Sequence, residues 1–151
     1  MLITIQLCKT LCQNVGGNEG RWTRDNFTCD AWIPWRGHYY ISCTTRMVWN
    51  VAASHCGSMS AHLVYINNAD ENSFVKSMLT NCNLNYASIG LLPIDSTQLA
   101  LGWKWQDNII ASYTNWESSQ LAHFEGCVGI ASDGQWHDYA CTTQYYCICE
   151  Y

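Results

Sequence analysis

The sequence predicts an α+β domain in which two early helices are followed by several short antiparallel strands. Three observations carry that expectation. Apolar residues recur at helical spacing twice in the first half of the chain. The second half breaks into short aromatic and β-branched runs separated by polar turns, and ten cysteines are spread over 151 residues. A chain of that size is expected to form one core that buries roughly two thirds of its unfolded surface.

Residues 1–28 contain Cys8, Cys12, the run GGNEG and the sequon Asn26-Phe27-Thr28, which together read as an extended arm with a glycosylation acceptor. Its two cysteines are candidates for pairing with each other, with Cys29 or Cys43, or with a second chain. From Trp32 to Ser42, aromatic and β-branched residues flank Arg36-Gly37, the pattern of a hairpin. Next, Met47, Val48, Val51, Ala52 and Cys56 recur at helical spacing, with Thr44 or Thr45 as N-cap of a first helix.

After Gly57-Ser58, the run AHLVYI over residues 61–66 is strand-like. Asn68 and Glu71 then stand three apart ahead of Phe74, Val75, Met78 and Leu79, a capping-box signature opening a second helix that ends before Cys82. The remainder supplies strand candidates at YASIGLL, LGWKWQD, IIASYTNW, CVGIA and TQYYCICEY. Asp133-Gly134, between CVGIA and QWHDY, marks a hairpin turn.

Ten cysteines, an even count with no zinc-finger pairs, point to an oxidising compartment and a disulfide framework. A net charge of −5, with seven basic residues scattered singly, excludes a nucleic-acid footprint. No stretch is long and apolar enough for membrane insertion. The opening MLITIQLCKTLC lacks a basic flank and is interrupted by Lys9, so the expectation is a secreted, soluble domain whose signal peptide lies outside this sequence. Absence of G-x-S-x-G, H-E-x-x-H and a phosphate-gripping glycine loop argues against an enzyme with any catalytic residue here.

The stretch from Trp116 to Asp138 is the densest in ligand-type side chains. Gln120, His123, Glu125, His137 and Asp138 bracket Cys127, with Trp116, Phe124 and Tyr139 as aromatic neighbours able to hold a sugar ring. His123, Glu125, His137 and Asp138 are also ligand types for a three- or four-coordinate zinc site. Histidines beside carboxylates more often hydrogen-bond within the cavity.

The order of motifs from about residue 29 to the end resembles a C-type-lectin-like domain. Trp49, Ala52 and Cys56 match that family's first helix, Ser88-Ile89-Gly90-Leu91 its Trp-Ile-Gly-Leu element, and Trp103 to Asp107 its W-x-W-x-D element. Tyr113 to Trp116 match Tyr-x-Asn-Trp, and Cys127, Cys141 and Cys149 its last cysteines. The resemblance implies two helices packed on short antiparallel sheets with a long disulfide-framed loop region, a domain at 29–151 behind the arm at 1–28, and bridges Cys56–Cys149 and Cys127–Cys141. Cys147, two residues before Cys149, is expected to face the opposite side of its strand, with Cys82 the nearest leftover partner. Long forms of the family close the N-terminal hairpin with a cysteine pair. Here Cys29 is present and Tyr39 stands at its partner's place, with Cys43 as a substitute; otherwise Cys29 cross-links elsewhere.

In the sugar-binding members a calcium ion is held by a tripeptide in the long loop, a glutamate before the third cysteine, and Trp-Asn-Asp in the next strand. Calcium takes six to eight oxygen ligands, so sugar hydroxyls can complete its shell. Mapped by position, these become Gln120-Leu121-Ala122, Glu125 and Trp136-His137-Asp138, which leaves Gln120, Glu125 and Asp138 as the metal-ligand candidates. Ala122 offers no side-chain oxygen, imidazole prefers softer metals, and Leu121 removes the loop proline. The resemblance therefore implies a lectin-like protein that recognises a glycan or glycoprotein through the 116–138 surface with little or no dependence on Ca²⁺. The competing expectation is a protein-recognition module resembling receptor-like or venom-like lectin domains with a decayed metal site. Cys8 or Cys12 is a candidate for a disulfide-linked dimer.

Overall fold

The computed structural model describes residues 22–24, 27–29, 31–120 and 124–151, with side chains described from residue 31 onward. Cys8, Cys12, Asn26 and His123 lie outside the described residues. The chain runs β1 (Trp22–Arg24), β2 (Phe27–Cys29), β3 (Ile33–Trp35), β4 (His38–Met47), α1 (Trp49–Ser58), β5 (His62–Leu63) and α2 (Ala69–Asn81). It continues through β6 (Tyr86–Ser88), β7 (Leu91–Pro93), β8 (Trp103–Trp105), β9 (Gly126–Ala131), β10 (Trp136–Ala140) and β11 (Tyr145–Glu150). The described residues form the expected α+β architecture, with two α-helices among them.

One sheet has the order β1-β2-β4-β11-β6-β9-β10, with β3 also on β4 and β5 also on β11; β7 and β8 form a separate pair. Its pairs are antiparallel except β11–β6, which is parallel. That pairing places the last strand beside β6, which in turn pairs with β9. Sequence order alone does not reveal which strands become neighbours.

The Arg36-Gly37 turn forms as expected, both residues having positive φ, which matches a hairpin of right-handed twist. The first helix starts later than its apolar spacing suggests. Thr44, Thr45 and Met47 belong to β4, Met47 pairing with Tyr145, and α1 begins at Trp49 with Val48 as a cap that makes no side-chain bond. β-Branched threonines gain more in the ladder than at a helix start. In α2, the Asn68 side chain accepts from the Glu71 N–H at 2.9 Å, as the capping signature requires. The Glu71 carboxylate, however, accepts from the Asn67 N–H at 2.7 Å and from the Tyr40 hydroxyl at 2.7 Å, tying the helix to β4.

The expected strand at 61–66 is reduced to His62–Leu63, and IIASYTNW contributes only isolated bridges from Ile110 and Trp116. The rest of that run is irregular loop, with Ile109 and Ile110 exposed and Trp116 packed on the core. YASIGLL breaks at Gly90, where an added Cβ would stand 2.7 Å from the Tyr65 ring and 2.8 Å from the Leu63 carbonyl. Only glycine permits that approach.

Two cores lie on either side of β11. Ile148 joins the larger one with Ile66, Met78, Leu79, Val128 and Trp136, while Cys147 and Cys149 join α1, Ile41 and Leu63 in the smaller one. Residues two apart on a pleated strand share a face, so Cys147 lies on the same side as Cys149, contrary to expectation. Cys56 is bonded to Cys149 and Cys127 to Cys141. Cys43 and Cys82 are also disulfide-bonded, and backbone register sets Cys43 opposite Cys29. Cys82 is therefore not the partner of Cys147, a buried free thiol whose pKa burial pushes up to about 12.

At the foot of the domain Glu150 is buried, accepting from the Tyr65 N–H at 2.9 Å and pairing with His38 at 2.9 Å. Burial raises its pKa. Tyr39 and Tyr151 exchange backbone bonds of 3.0 and 2.9 Å beside it, closing the C-terminal end against the hairpin.

Candidate functional site

Elements from the far end of the sheet converge on the 116–138 segment. The β9–β10 hairpin turns at Asp133-Gly134, where Gly134 has φ +91°, and pairs His137 with Gly129 and Tyr139 with Cys127. The Cys127–Cys141 bond closes that hairpin next to its open end. On β10 the pleat sends fully buried Trp136 into the core and half-buried His137 the other way. Trp136 is fixed by its indole N–H donating to Asn72 at 2.8 Å and by edge contacts with Trp105, Tyr113 and Trp116.

The loop entering this region is organised by Glu117. Its carboxylate accepts from the Ser119 hydroxyl and from the Ser119 N–H, the latter at 2.9 Å, and its carbonyl from the Gln120 N–H at 3.1 Å. The Ser119 hydroxyl and N–H hold the Glu117 carboxyl well below its usual 4.5, at about 2. A depressed carboxylate contributes stability that is complete above its unfolded pKa and is lost as pH falls through the folded one. The Ser119 amide resonance is therefore expected to titrate near pH 2 in NMR spectra, whereas a midpoint near 4.5 would show the turn to be unformed.

Beyond this turn lies a cavity of about 180 Å³ lined by Tyr86, Gln120, Gly129, His137, Asp138, Tyr139 and Tyr145. It gathers four of the residues singled out in the sequence: Gln120, His137, Asp138 and Tyr139. Glu125 is exposed and outside the lining. Trp116 is also outside it, with its ring 4.7 Å from Trp103 and 5.9 Å from Trp136 in the aromatic cluster under the loop. Tyr86, Gly129 and Tyr145 escaped sequence reasoning because they enter through β6, β9 and β11. Only the strand register brings them beside β10.

The polar groups here are largely turned toward one another. The Asp138 N–H donates to the Gln120 side-chain amide oxygen Oε1 at 3.0 Å, and the Glu125 N–H donates to the Asp138 carboxylate at 2.8 Å. Tyr139, whose hydroxyl pKa is raised by burial, is bonded through that hydroxyl to Ser88 at 2.5 Å. His137 Nε2 is buried with no hydrogen-bond partner, the ring meeting Tyr86 edge-on at 5.7 Å.

A calcium ion needs six to eight oxygens aimed at one point. Gln120 and Asp138 each spend an oxygen on a backbone donor, and Glu125, His137 and Asp138 do not converge. Among the described residues, the only set of three or more Cys, His, Asp and Glu with ligand atoms within 4.8 Å of one another is Cys43, Cys147 and Cys149. Two of those sulfurs are in disulfides. Among the described residues, no three Cys, His, Asp or Glu ligand atoms gather at the 116–138 segment.

A family model described as "Lectin C-type domain" matches residues 45–151. The chain is 26% identical over 128 residues to C-type lectin domain family 4 member G of Mus musculus, covering 80% of this chain and 42% of that protein. It is 32% identical over 133 residues to the hepatic lectin of Gallus gallus, covering 82% of this chain and 61% of that protein. It thus spans less than two thirds of these relatives.

Among solved structures, the mouse scavenger receptor C-type lectin carbohydrate-recognition domain matches at 30% identity and TM-score 0.69, covering 80% of this chain and 92% of that one. The C-type lectin domain of murine dendritic cell inhibitory receptor 2, in complex with N-glycan, matches at 29% identity and TM-score 0.66, with 80% and 94% covered. A calcium-independent type II antifreeze protein shares the fold at 20% identity and TM-score 0.68, covering 89% of this chain and 98% of that one. Fold alone therefore does not fix the ligand. With more than half its length matched by the family model, the chain belongs to the C-type lectin domain family.

Proposed function

We propose that this chain is a secreted, non-enzymatic binding module that recognises glycans through its 116–138 surface with little or no dependence on Ca²⁺. One observation carries the reading. Gln120, His137, Asp138 and Tyr139 share an open cavity in which the side-chain oxygens accept from backbone N–H groups, so the surface is pre-shaped without an ion. Similarity to a hepatic lectin and to a domain solved in complex with N-glycan supports a glycan as ligand. Residues 29–151 form the recognition domain in this reading, and residues 1–28 an arm whose Cys8 or Cys12 links a dimer. No helix of the described residues is long and apolar enough to cross a membrane.

A glycan array probed with the full chain, with calcium and with chelator, tests this proposal. Hits in both conditions are expected, and no hit in either would sink it. A second reading is favoured by Leu101, Ile109 and Ile110, apolar side chains more than half exposed on the loop side of β8. Exposed apolar groups of this kind suit a protein partner. Capture of a partner that survives its enzymatic deglycosylation would support that reading instead.

A further inference from the structure

We propose that Glu150, with Tyr40, Glu71, His38 and His62 gathered around it, is a proton-uptake site that fastens the foot of the domain in mildly acidic surroundings. It is separate from the glycan reading, because Tyr145 lines the cavity at one end of β11 and Glu150 stands at the other.

Strand register brings the cluster together. Glu150 lies opposite Tyr40 of β4 and opposite His62 of β5, so the three share a row across the sheet. Glu71 reaches the same place from α2. Both carboxylates are buried, Glu71 at 4% exposure and Glu150 at 2%. The Tyr40 hydroxyl interacts with both and donates its one proton to Glu71 at 2.7 Å. Glu150 is left with the Tyr65 N–H at 2.9 Å and with His38 Nδ1 at 2.9 Å, the half-exposed His38 ring standing at the mouth of the cluster. His62 stacks on the Tyr65 ring at 3.8 Å, its Nδ1 lying 2.9 Å from the Leu63 carbonyl oxygen.

Charge decides what the cluster does. Two carboxylates in one dry site repel each other and need either cations or a proton. Among the described residues the ion pairs are Arg36 with Asp70 and His38 with Glu150, so no lysine or arginine serves Glu71 or Glu150. The groups that face Glu150 are Tyr40 and His38 from β4, His62 from β5, Tyr65 from the segment after it and Glu71 from α2. Histidine supplies a cation only as pH falls toward its ordinary value of about 6.5. A proton on Glu150 itself removes the repulsion. Burial raises the Glu150 pKa, with the Glu71 charge adding to the rise and the Tyr65 N–H and the two histidines opposing it. A carboxyl raised in this way is protonated in the fold before it is protonated in the unfolded chain. Its contribution to stability is fully present below the unfolded pKa and is lost as pH rises through the folded one. Acidification toward the usual glutamate value of 4.5 therefore tightens the junction of β4, β5, β11 and α2. Glu117, with its lowered pKa, acts in the opposite sense and only below 4.5.

The test is a carbon-13 NMR titration of the Glu150 side-chain carboxyl in the full chain. Its midpoint is expected above the 4.5 of an unperturbed glutamate, and His38→Ala, at a half-exposed position, is expected to move it higher still by removing a nearby cation. Urea unfolding from about pH 8 down to about pH 4.5 gives the linked readout. The midpoint concentration is expected to rise as the carboxyl takes up its proton, and Glu150→Gln, which keeps an acceptor for the Tyr65 N–H, is expected to lose that rise. A Glu150 midpoint at or below 4.5 would overturn the proposal, and so would an unfolding profile whose pH dependence Glu150→Gln leaves unchanged. The carboxyl titration is read on the unaltered chain, so it decides the matter even where a variant fails to fold.

Discussion

Replacing Cys56 and Cys149 together by alanine is expected to lower the unfolding free energy by about 4–5 kcal/mol, because the bond closes a span of 93 residues. The pair links α1 to the last strand and is fully buried in the smaller core, so its loss also loosens the packing of the helix on β5 and β11. Against a total stability of about 5–15 kcal/mol for a domain of this kind, that is a large share. Both cysteines must be changed at once. A single Cys56→Ala would leave a Cys149 thiol within 4.8 Å of Cys147 and of the bonded Cys43, where reshuffling competes. Removing Cys127 and Cys141, whose span is 14 residues, is expected to cost about 3 kcal/mol. Denaturant unfolding of the two variants beside the parent checks both the size and the order. Equal losses would contradict the role given to loop length.

Trp136→Ala is expected to cost about 3–5 kcal/mol and to abolish ligand binding as well. The indole is fully buried at the junction of Trp105, Tyr113 and Trp116, and its N–H satisfies Asn72. Because His137 and Asp138 follow directly on β10, a cavity beneath the strand removes the support that aims them. Trp136→Phe keeps most of the volume but leaves the Asn72 oxygen without its donor, a loss of about 1–3 kcal/mol. Chemical denaturation and near-UV dichroism separate the two. A phenylalanine variant as damaged as the alanine one would show that the hydrogen bond, not the volume, dominates.

How much of this was legible depended on the range of the interaction. The start of α2 at Asn68 and the turns at Arg36-Gly37 and Asp133-Gly134 rest on contacts a few residues apart, and the sequence displays them openly. The start of α1 was misplaced because Met47 and the threonines before it are held by β4, whose ladder with β11 bridges nearly one hundred residues. Local spacing carries no sign of that partner. Gly90 divided an expected strand through contacts with Leu63 and Tyr65, again invisible locally.

The site was legible in the same proportion. Motif order brought Gln120, His137, Asp138 and Tyr139 to attention, and the structure sets them around one cavity. Three further lining residues, Tyr86, Gly129 and Tyr145, became visible only through the pairing of β6 with β9 and with β11. The sequence also could not show that the surviving oxygens accept hydrogen bonds from the backbone. In that arrangement Gln120 and Asp138 form a pre-shaped polar rim.

The central claim is that this rim holds a glycan without an ion, and the most direct measurement is the calorimetric affinity for one array-identified glycan in calcium and in chelator. The account predicts two dissociation constants within about twofold of each other. A loss of more than about tenfold in chelator would contradict it, since calcium would then be reorganising Gln120, Glu125 and Asp138 into a coordination shell.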